Sequence, residues 1–499
     1  MGYACICHDF GRQAGRTGVG AVMGSKNLKA IAVRGTQSIP VANLKAAYAK
    51  GKEAYQKVMA KPGFEGWTPE GTAGITNWTN EVGVFPTRNF QTSHAGHYKN
   101  INGKAILERL KITDKGCFGC PTPCGKYGHT KTSVGSAYVE GPEYETIAGC
   151  GSNLGIFDPH TVVELNFYCD AYGLDTISVG TAIAFAMECF EMGLINNDHT
   201  GGMDLSFGNR LSALKLVHQM AAGEGFGQII GKGVRKMKEI FAADFAADAA
   251  VMADIGMEAK GLEFSEYMTK ESLAQQGGYG LALKGPQHDE AWLIFLDMVH
   301  NFMPTFEQKA EALHWFPMFR TWFGLFGLCK LPWNDVIPED NKDTQEPAKV
   351  MKHVQWYADY FSSITGIESG PDDLIKMSEG VYNFQRIFNL RMGFGRRQHD
   401  DIPYRAMGPV TETEYESRSE RYDRQLTETF KSDIDGKSTA EKVATLRKYR
   451  EEQYDKLKDA VYKRRGWTTD GIPTLKTVKR LGIDFDDVVE LLKTNGVHS

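Results

Sequence analysis

The 499 residues carry 57 Lys and Arg against 62 Asp and Glu, a net charge of −5, with 42% hydrophobic and 24% charged residues. That is the balance of an ordinary globular chain of roughly two to four domains, with no basic footprint for nucleic acid. No window approaches about 18 uncharged apolar residues and no apolar signal core follows Met1, so neither a transmembrane segment nor export is expected. Nine unevenly spread cysteines fit a reducing, cytoplasmic setting better than a disulfide framework.

Residues 11–35, GRQAGRTGVGAVMGSKNLKAIAVRG, are glycine-rich and close on a strand-like run, Ala30–Val33. A polar helix is expected over 40–62. Residues 63–130 are punctuated by Gly and Pro and read as loops and short helices. From Tyr144 to about Leu194 the apolar residues recur at helical spacing, with breaks near Gly151–Pro159 and at YGLDTIS. FAADFAADAAVMAD, around 241–254, has the composition of a surface helix or linker. A second glycine-rich loop, QGGYGLALKG, is expected at 276–285. The aromatic stretch 292–333 is too apolar for a surface loop. Residues 411–464 alternate in charge and read as solvated helices without chemistry. No internal repeat is present. The fold class expected is mostly α (α+β overall).

The densest chemistry lies in DKGCFGCPTPCGKYG, 114–128, where Cys117, Cys120 and Cys124 stand at C-x2-C-x3-C spacing. Zinc wants four ligands, typically two C-x-x-C pairs or one with paired His; only one C-x-x-C exists here, and His94 and His97 lie upstream. A thioredoxin-like pair leaves the third cysteine unexplained. A [4Fe–4S] cluster takes three thiolates from one compact loop and a fourth from far away, which suits this spacing, with Gly119, Pro121 and Pro123 shaping the backbone. The cluster is the preferred reading; zinc, or simple burial of thiols, stays open. The remote ligand would be Cys150, Cys169, Cys189 or Cys329. Cys189, in AFAMECFEMG, reads as a packed small hydrophobe. Cys329 is better placed, in a turn after Gly327–Leu328.

Several motifs in order along nearly the whole chain are similar to the aldehyde:ferredoxin oxidoreductase family of tungsten–pterin enzymes. AGRTGVGAVMGSKNLKAIAVRG (14–35) resembles its pterin loop and following strand, and NEVGVFPTRNF (80–90) a further conserved segment of that family. The cysteine trio, GPEYETI (141–147), DAYGLDTISVG (170–180), GLC (327–329) and RIFNLRMGFGRRQHDDIP (386–403) follow in the family's order. Two departures stand out. Gly324 occupies the place of the Asp that opens the second pterin motif. The chain also starts almost at the pterin loop, so the β-rich N-terminal domain that cradles the pterins is expected to be largely absent. Within the family, 267–299 and 316–336 look most like the tungsten subunit of the ATP-independent (class II) benzoyl-coenzyme A reductase.

The resemblance implies a tungsten (or molybdenum) bis-pyranopterin and a [4Fe–4S] cluster on Cys117, Cys120, Cys124 and Cys329. It implies two helical domains: residues 39–255 with three cluster cysteines and the first pterin motif, and 256–499 with the fourth cysteine and the second motif, after a base-domain remnant at 1–38. Gly15, Arg16 and Lys26 would hold pterin phosphates; Asp170, Gly173, Leu174 and Asp175, with Gly327 and Leu328, would meet the pterins. Glu143 and His288 match the family's active-site acid and histidine, with His94 or His97 as further proton donors; Glu145, two residues on from Glu143, faces elsewhere. The aromatics near Cys329 would line a dry acyl pocket, although such density marks a core more often. The activity implied is reduction of the aromatic ring of benzoyl-CoA to a cyclic dienoyl-CoA. Oxidation of aldehydes to carboxylates is the alternative, and a non-catalytic electron-transfer or assembly subunit a third reading. An iron–sulfur electron-transfer subunit or ferredoxin would be the partner, in a hetero-oligomer, and an acyl-CoA or an aldehyde the substrate. Cys5 and Cys7, in ACIC, have no assigned role.

Overall fold

Helices carry the chain and three small antiparallel sheets interrupt them in the computed structural model, which describes residues 1–8, 11–61, 64–333, 344–346 and 348–498. Strands β1 (Ile6–His8) and β2 (Arg12–Ala14) pair as a ribbon, with Ile6 opposite Ala14. Strands β3 (Lys111–Lys115), β4 (Gly125–Thr132) and β5 (Gly135–Glu140) form a meander. A two-residue hairpin joins Glu258–Ala259 to Leu262–Glu263. No helix among the described residues is long and apolar enough to cross a membrane.

The contacts divide the chain into two units, each discontinuous in sequence. The first gathers Met1–Ala32, Pro62–Lys270 and Ile402–Arg450; the second gathers Val33–Lys61, Glu271–Asp401 and Glu451–Ser499. The contiguous ranges 1–38, 39–255 and 256–499 are a partition by motif rather than by contact.

The first unit is built around the helix Thr176–Glu191, whose residues from Ile177 to Cys189 are all buried. A helix apolar on every side belongs in the middle of a core. Asp175 caps it, accepting from the Ile177 and Ser178 N–H groups. The helices Tyr144–Cys150 and Pro159–Tyr172 pack nearby, with the breaks at 151–159 and YGLDTIS where the apolar periodicity lapses. Gly180 makes a close crossing: a Cβ there would stand 2.5 Å from the Gly149 backbone. Cys150, Cys169 and Cys189 all lie inside this core, and burial raises each thiol. A salt-linked cluster closes the unit. Arg405, fully buried, pairs with Glu188 and Glu414; Lys270 reaches Glu414 at 2.7 Å; Asn89 donates to Glu188 at 2.6 Å. The NEVGVFPTRNF segment thus ends in a buried anchor, with Arg88, Asn89 and Phe90 all left-handed.

The second unit packs the helices Leu44–Met59, Leu273–Gly280, Phe306–Phe326, Met351–Thr365 and Pro371–Arg391. Trp315, Phe316, Phe319, Trp322 and Phe323 fill its core. Arg386 and Asp400, both with fully buried side chains, form a two-bond pair at 2.9 and 2.8 Å, and the Tyr462 hydroxyl donates to Asp400 at 2.5 Å. The RIFNLRMGFGRRQHDDIP signature is therefore structural at these two positions.

Three expectations change. Ala30–Val33 forms no strand: no backbone hydrogen bond holds 29–41 among the described residues, and Ile31 and Val33 are 72% and 89% exposed. A strand needs a neighbour, and none pairs with it among the described residues. QGGYGLALKG is not a loop throughout, because the helix Leu273–Gly280 covers its first half. Its glycines serve close packing: a Cβ on Gly277 would stand 2.5 Å from Leu313 and 2.8 Å from Leu457. Residues 411–464 are not merely solvated, since Glu414 and Arg450 are buried and Arg450 donates to the Lys270 and Met407 carbonyls.

Candidate cofactor site

The cysteine trio occupies the link between β3 and β4, whose last pair is Lys115 with Gly125. Cys117 is exposed, while Cys120 and Cys124 are half-buried. The Cys120 N–H donates to the Cys117 carbonyl at 3.1 Å, and the Thr122 N–H donates to Cys120 Sγ at 3.4 Å. An amide donating to sulfur favours the thiolate and is a standard way of tuning an iron–sulfur centre. Among the described residues no group of three His, Cys, Asp or Glu is gathered closely enough to hold a metal ion. One loop thus supplies the right donors without having drawn them together.

The β1–β2 ribbon brings polar side chains beside this loop. Arg12, in β2, pairs with Glu140 at the end of β5 at 3.2 Å. Both crowd Gly125, the residue after Cys124: a Cβ there would lie 2.6 Å from Arg12 Nη2 and 2.6 Å from Glu140 Oε1. Burial, then the Glu143 charge, pushes the Glu140 carboxyl up to about 7, against the pull of Arg12. Gln13 donates to Asp170 at 3.4 Å, and burial raises the Asp170 carboxyl to about 7 as well. Arg12 Nε and Gln13 Oε1 are buried with no hydrogen-bond partner among the described residues. Leaving such an atom unsatisfied costs about 1–3 kcal/mol, so two on one surface fit a group rich in hydrogen-bonding heteroatoms.

The first pterin-like motif lies against the N-terminal segment. Gly173 is left-handed (φ 68°) and ends the helix Pro159–Tyr172; its carbonyl accepts from the Cys5 N–H at 2.8 Å. Leu174, 4% exposed, bridges to Ala4, and the Asp175 N–H donates to the Tyr3 carbonyl. Asp175 is engaged by its own helix and by Arg16 at 3.3 Å. Arg16 also donates to Ser265 and to the Glu263 carbonyl, so it turns into the protein. Lys26 remains exposed just after the short helix Val19–Ser25. Gly15 accepts from the Cys5 thiol at 3.4 Å. Cys7 lies 3.4 Å from where a Gly173 Cβ would stand. Burial, then Asp175 and Cys7, raises the Cys5 thiol to about 12, so Cys5 stays protonated. ACIC, which runs from the Ala4 bridge into β1, seats this loop.

Glu143 stands at the N-cap of the helix Tyr144–Cys150, yet its carboxylate makes no capping bond. Thr72 takes that place: its hydroxyl donates to Glu143 and accepts from the Tyr144 N–H at 2.9 Å. The Glu143 side chain is thereby held on the solvent side of the helix start, half-buried. Glu145 is turned elsewhere, accepting from the Glu266 N–H at 2.7 Å. Glu266 is fully buried and its carboxyl is raised well above the usual range by burial and then by Glu145. His94 and His97 are exposed; His97 packs on Phe157, and His94 lines an open cavity of about 700 Å³ with Asn80, Glu416 and Arg418. Neither histidine hydrogen-bonds to Glu143 or the cysteine loop among the described residues.

In the second unit Gly327 is left-handed (φ 66°) and ends the helix Phe306–Phe326, and the Leu328 N–H returns to the Phe323 carbonyl at 2.8 Å. Cys329 follows in the expected turn, exposed, with the Leu331 N–H donating to its Sγ at 3.4 Å. Gly324 lines a cavity of about 550 Å³ with Asp289, Arg320, Lys330 and Phe388. Lys330 donates to the Asp289 carbonyl at 3.0 Å and pairs with its carboxylate at 3.1 Å. Burial would raise the Asp289 carboxyl, but Lys284 and Lys330 hold it down at about 2. His288, half-buried, packs edge-on to Trp292, and its carbonyl accepts from Arg320. The aromatics of 315–323 are core rather than walls of this cavity, to which that run contributes Pro317, Arg320 and Thr321; its aromatic walls are Tyr382, Phe384 and Phe388.

The first unit thus brings together Cys117, Cys120, Cys124, Glu143, Asp170, Gly173, Asp175, Gly15 and Arg16; the second holds Gly327, Leu328, Cys329 and His288. Sequence reading missed Arg12, Gln13, Glu140, Glu266 and Asp289. None stands in a spaced motif, and only the strand pairing reveals the first three as neighbours.

The family model "Aldehyde ferredoxin oxidoreductase, domains 2 & 3" matches residues 49–483, and that of the family's N-terminal domain matches residues 1–35. The chain is 30% identical over 492 residues to a tungsten-containing aldehyde ferredoxin oxidoreductase of Pyrococcus horikoshii, covering 97% of this chain and 71% of the relative. It is 29% identical over 301 residues to the WOR-like subunit of an aliphatic sulfonate oxidoreductase of Pyrococcus furiosus, covering 57% of this chain and 46% of that one. Among solved structures, the active site complex BamBC of benzoyl coenzyme A reductase, with 1,5-dienoyl-CoA, superposes with a TM-score of 0.72 at 19% identity, covering 100% of this chain and 73% of that one. At that identity the likeness is one of fold. The chain belongs to the aldehyde ferredoxin oxidoreductase family of tungsten-containing oxidoreductases.

Proposed function

We propose that the chain is a tungsten–pterin subunit that reduces the aromatic ring of benzoyl-CoA to a cyclic dienoyl-CoA. The observation that supports this reading most is the fold likeness, along the whole chain, to a complex that holds a dienoyl-CoA. Cys117, Cys120, Cys124 and Cys329 are the ligands of a [4Fe–4S] cluster in this reading. Asp170, Gly173, Leu174 and Asp175 meet one pterin, Gly327 and Leu328 the other, and Gly15 and Lys26 lie towards the phosphates. On the second unit Asp289 carries the carboxylate that Gly324 lacks. The chemistry supplied by these groups when bound is a one-electron relay at the cluster and electron exchange with the substrate at tungsten.

The chain's own part is to hold and deliver protons. Ring reduction consumes two protons with two electrons, and a useful donor titrates near the working pH. Glu140 and Asp170, both near 7, meet that condition, and Glu143 is fixed by Thr72 at the same surface. His288 is the candidate donor of the second unit. An iron–sulfur electron-transfer subunit, or ferredoxin, would bring the electrons, within a cytoplasmic hetero-oligomer.

The curated relatives favour a second reading, oxidation of aldehydes to carboxylates. Anaerobic assay of the tungsten-loaded protein with its electron-transfer partner separates the two. Consumption of benzoyl-CoA under a low-potential donor, with formation of a dienoyl-CoA, supports the first. Viologen reduction by aldehydes, with benzoyl-CoA untouched, overturns it. Metal analysis showing about four irons and no tungsten would make the chain an electron-transfer subunit.

A further inference from the structure

Arg465 ends the helix Thr439–Arg465 inside the second unit, and its side chain is buried. One of its nitrogens is used: Nη2 donates to the Leu313 carbonyl at 3.0 Å. Nε and Nη1 are buried with no hydrogen-bond partner among the described residues. No carboxylate pairs with it among those residues either, because the acids of the surrounding helices are taken. Glu307 and Glu311 bind Arg464, Glu379 binds Arg480, and Asp400 binds Arg386. The rings of Tyr382 and Trp467 lie 4.9 and 5.0 Å from the guanidinium carbon, so two walls of the site are aromatic. A guanidinium carries its N–H groups in one plane, accepts nothing and does not deprotonate in proteins. Burying one without a counter-charge is among the costliest arrangements a core can hold.

Two further polar atoms on the neighbouring turns have no partner among the described residues. Ser378 is fully buried with its hydroxyl unpaired, one turn before Tyr382 on the helix Pro371–Arg391. His314 follows Leu313, whose carbonyl Arg465 holds, and its Nδ1 is buried and unpaired. Burial, then the Arg465 charge, lowers the His314 imidazole to about 4, so the ring is neutral and its Nδ1 can carry a proton to donate. We infer that Arg465, Ser378 and His314 hold a small monovalent anion of the halide class inside the second unit. Each group offered is a donor or can become one, which suits an anion. One buried cation balances one negative charge, so a dianion such as sulfate would leave charge uncompensated. The anion ties the end of the helix Thr439–Arg465 to the helices Phe306–Phe326 and Pro371–Arg391.

The test uses the purified full-length protein and bromide, a halide that anomalous X-ray scattering can locate. Crystals grown in bromide should show an anomalous peak within hydrogen-bonding reach of Arg465 Nε and Nη1. Urea unfolding followed by tryptophan fluorescence, with bromide exchanged for gluconate at constant ionic strength, reads the same site in solution. Above the dissociation constant, each tenfold rise in bromide should raise the wild-type folded-to-unfolded ratio about tenfold. Arg465→Met, which keeps an unbranched side chain and removes the donors, should lose that dependence. Crystals without the peak overturn the inference, whatever water stands there. So does a peak with no bromide dependence in solution, which is binding at crystal concentration only. Equal dependence in wild type and Arg465→Met overturns it as well. Should Arg465→Met fail to fold, Ser378→Ala decides: a need for more bromide sustains the inference, and an unchanged dependence overturns it.

Discussion

Replacing Gly180 by alanine sets two effects of opposite sign against each other. In a helix interior alanine is favoured over glycine by about 1 kcal/mol, so propensity alone makes Gly180→Ala stabilising. The new methyl, however, would stand 2.5 Å from the carbonyl carbon and oxygen of Gly149 and 2.7 Å from its Cα. These atoms are backbone of the neighbouring helix and cannot rotate away, so the helices must part by roughly 1 Å to restore ordinary contact. Overpacking of this kind costs about 1–3 kcal/mol, and a rigid partner puts Gly180 at the upper end. The expected net effect is a loss of about 2 kcal/mol. Gly51, in the helix Leu44–Met59, is the control, since a Cβ there meets nothing within 4 Å. Gly51→Ala should gain up to about 1 kcal/mol. Equilibrium urea unfolding followed by far-UV circular dichroism reads both signs. A Gly180→Ala midpoint at or above wild type would refute the argument that this crossing, which fixes the helix carrying Glu143, is set by backbone contact.

Arg386→Leu should destabilise the chain by about 3–5 kcal/mol, because it leaves Asp400 charged and buried; urea unfolding by tryptophan fluorescence should show the loss, and Asp400→Asn on top should recover part of it. Glu140 binds its proton more tightly folded, near 7, than unfolded, so its contribution is full at acid pH and is lost as pH rises from about 4.5 to about 7, on the order of 3 kcal/mol; Glu140→Gln should flatten the stability profile across that window. Glu143→Gln should lower turnover by about 10²- to 10⁴-fold with metal content unchanged, and equal turnover would remove Glu143 from the proton path.

How far the fold could be read in advance depended on locality. The helices between Tyr144 and Glu191 announce themselves because their apolar residues lie within each segment and need no distant partner to be recognised, and their breaks fall at Gly151–Pro159 and at YGLDTIS. The meander β3–β5 is not visible: GKYGHTKT alternates little, and its stability comes from pairing with Gly135–Glu140. Ala30–Val33 misleads for the converse reason, carrying strand propensity without a partner strand. The cysteine loop, Glu143 and the DAYGLD segment are legible through their spacing. Arg12 and Glu140 are not, since two residues 128 positions apart become an ion pair only once ribbon and meander meet. Arg386 and Asp400 lie in a segment legible only as a family signature, and its work at these positions is to hold a core.

The first unit is finished by a late piece of chain. Arg405 and Glu414, from the segment Ile402–Arg450, close the knot around Glu188, Asn89 and Lys270. On the ribosome the cysteine loop and the DAYGLD turn therefore emerge long before their scaffold can lock, and contacts of such separation form slowly. Until Ile402–Arg450 has been made, Glu188 and Lys270 wait without their charged partners, so the first unit locks only after about four-fifths of the chain exists.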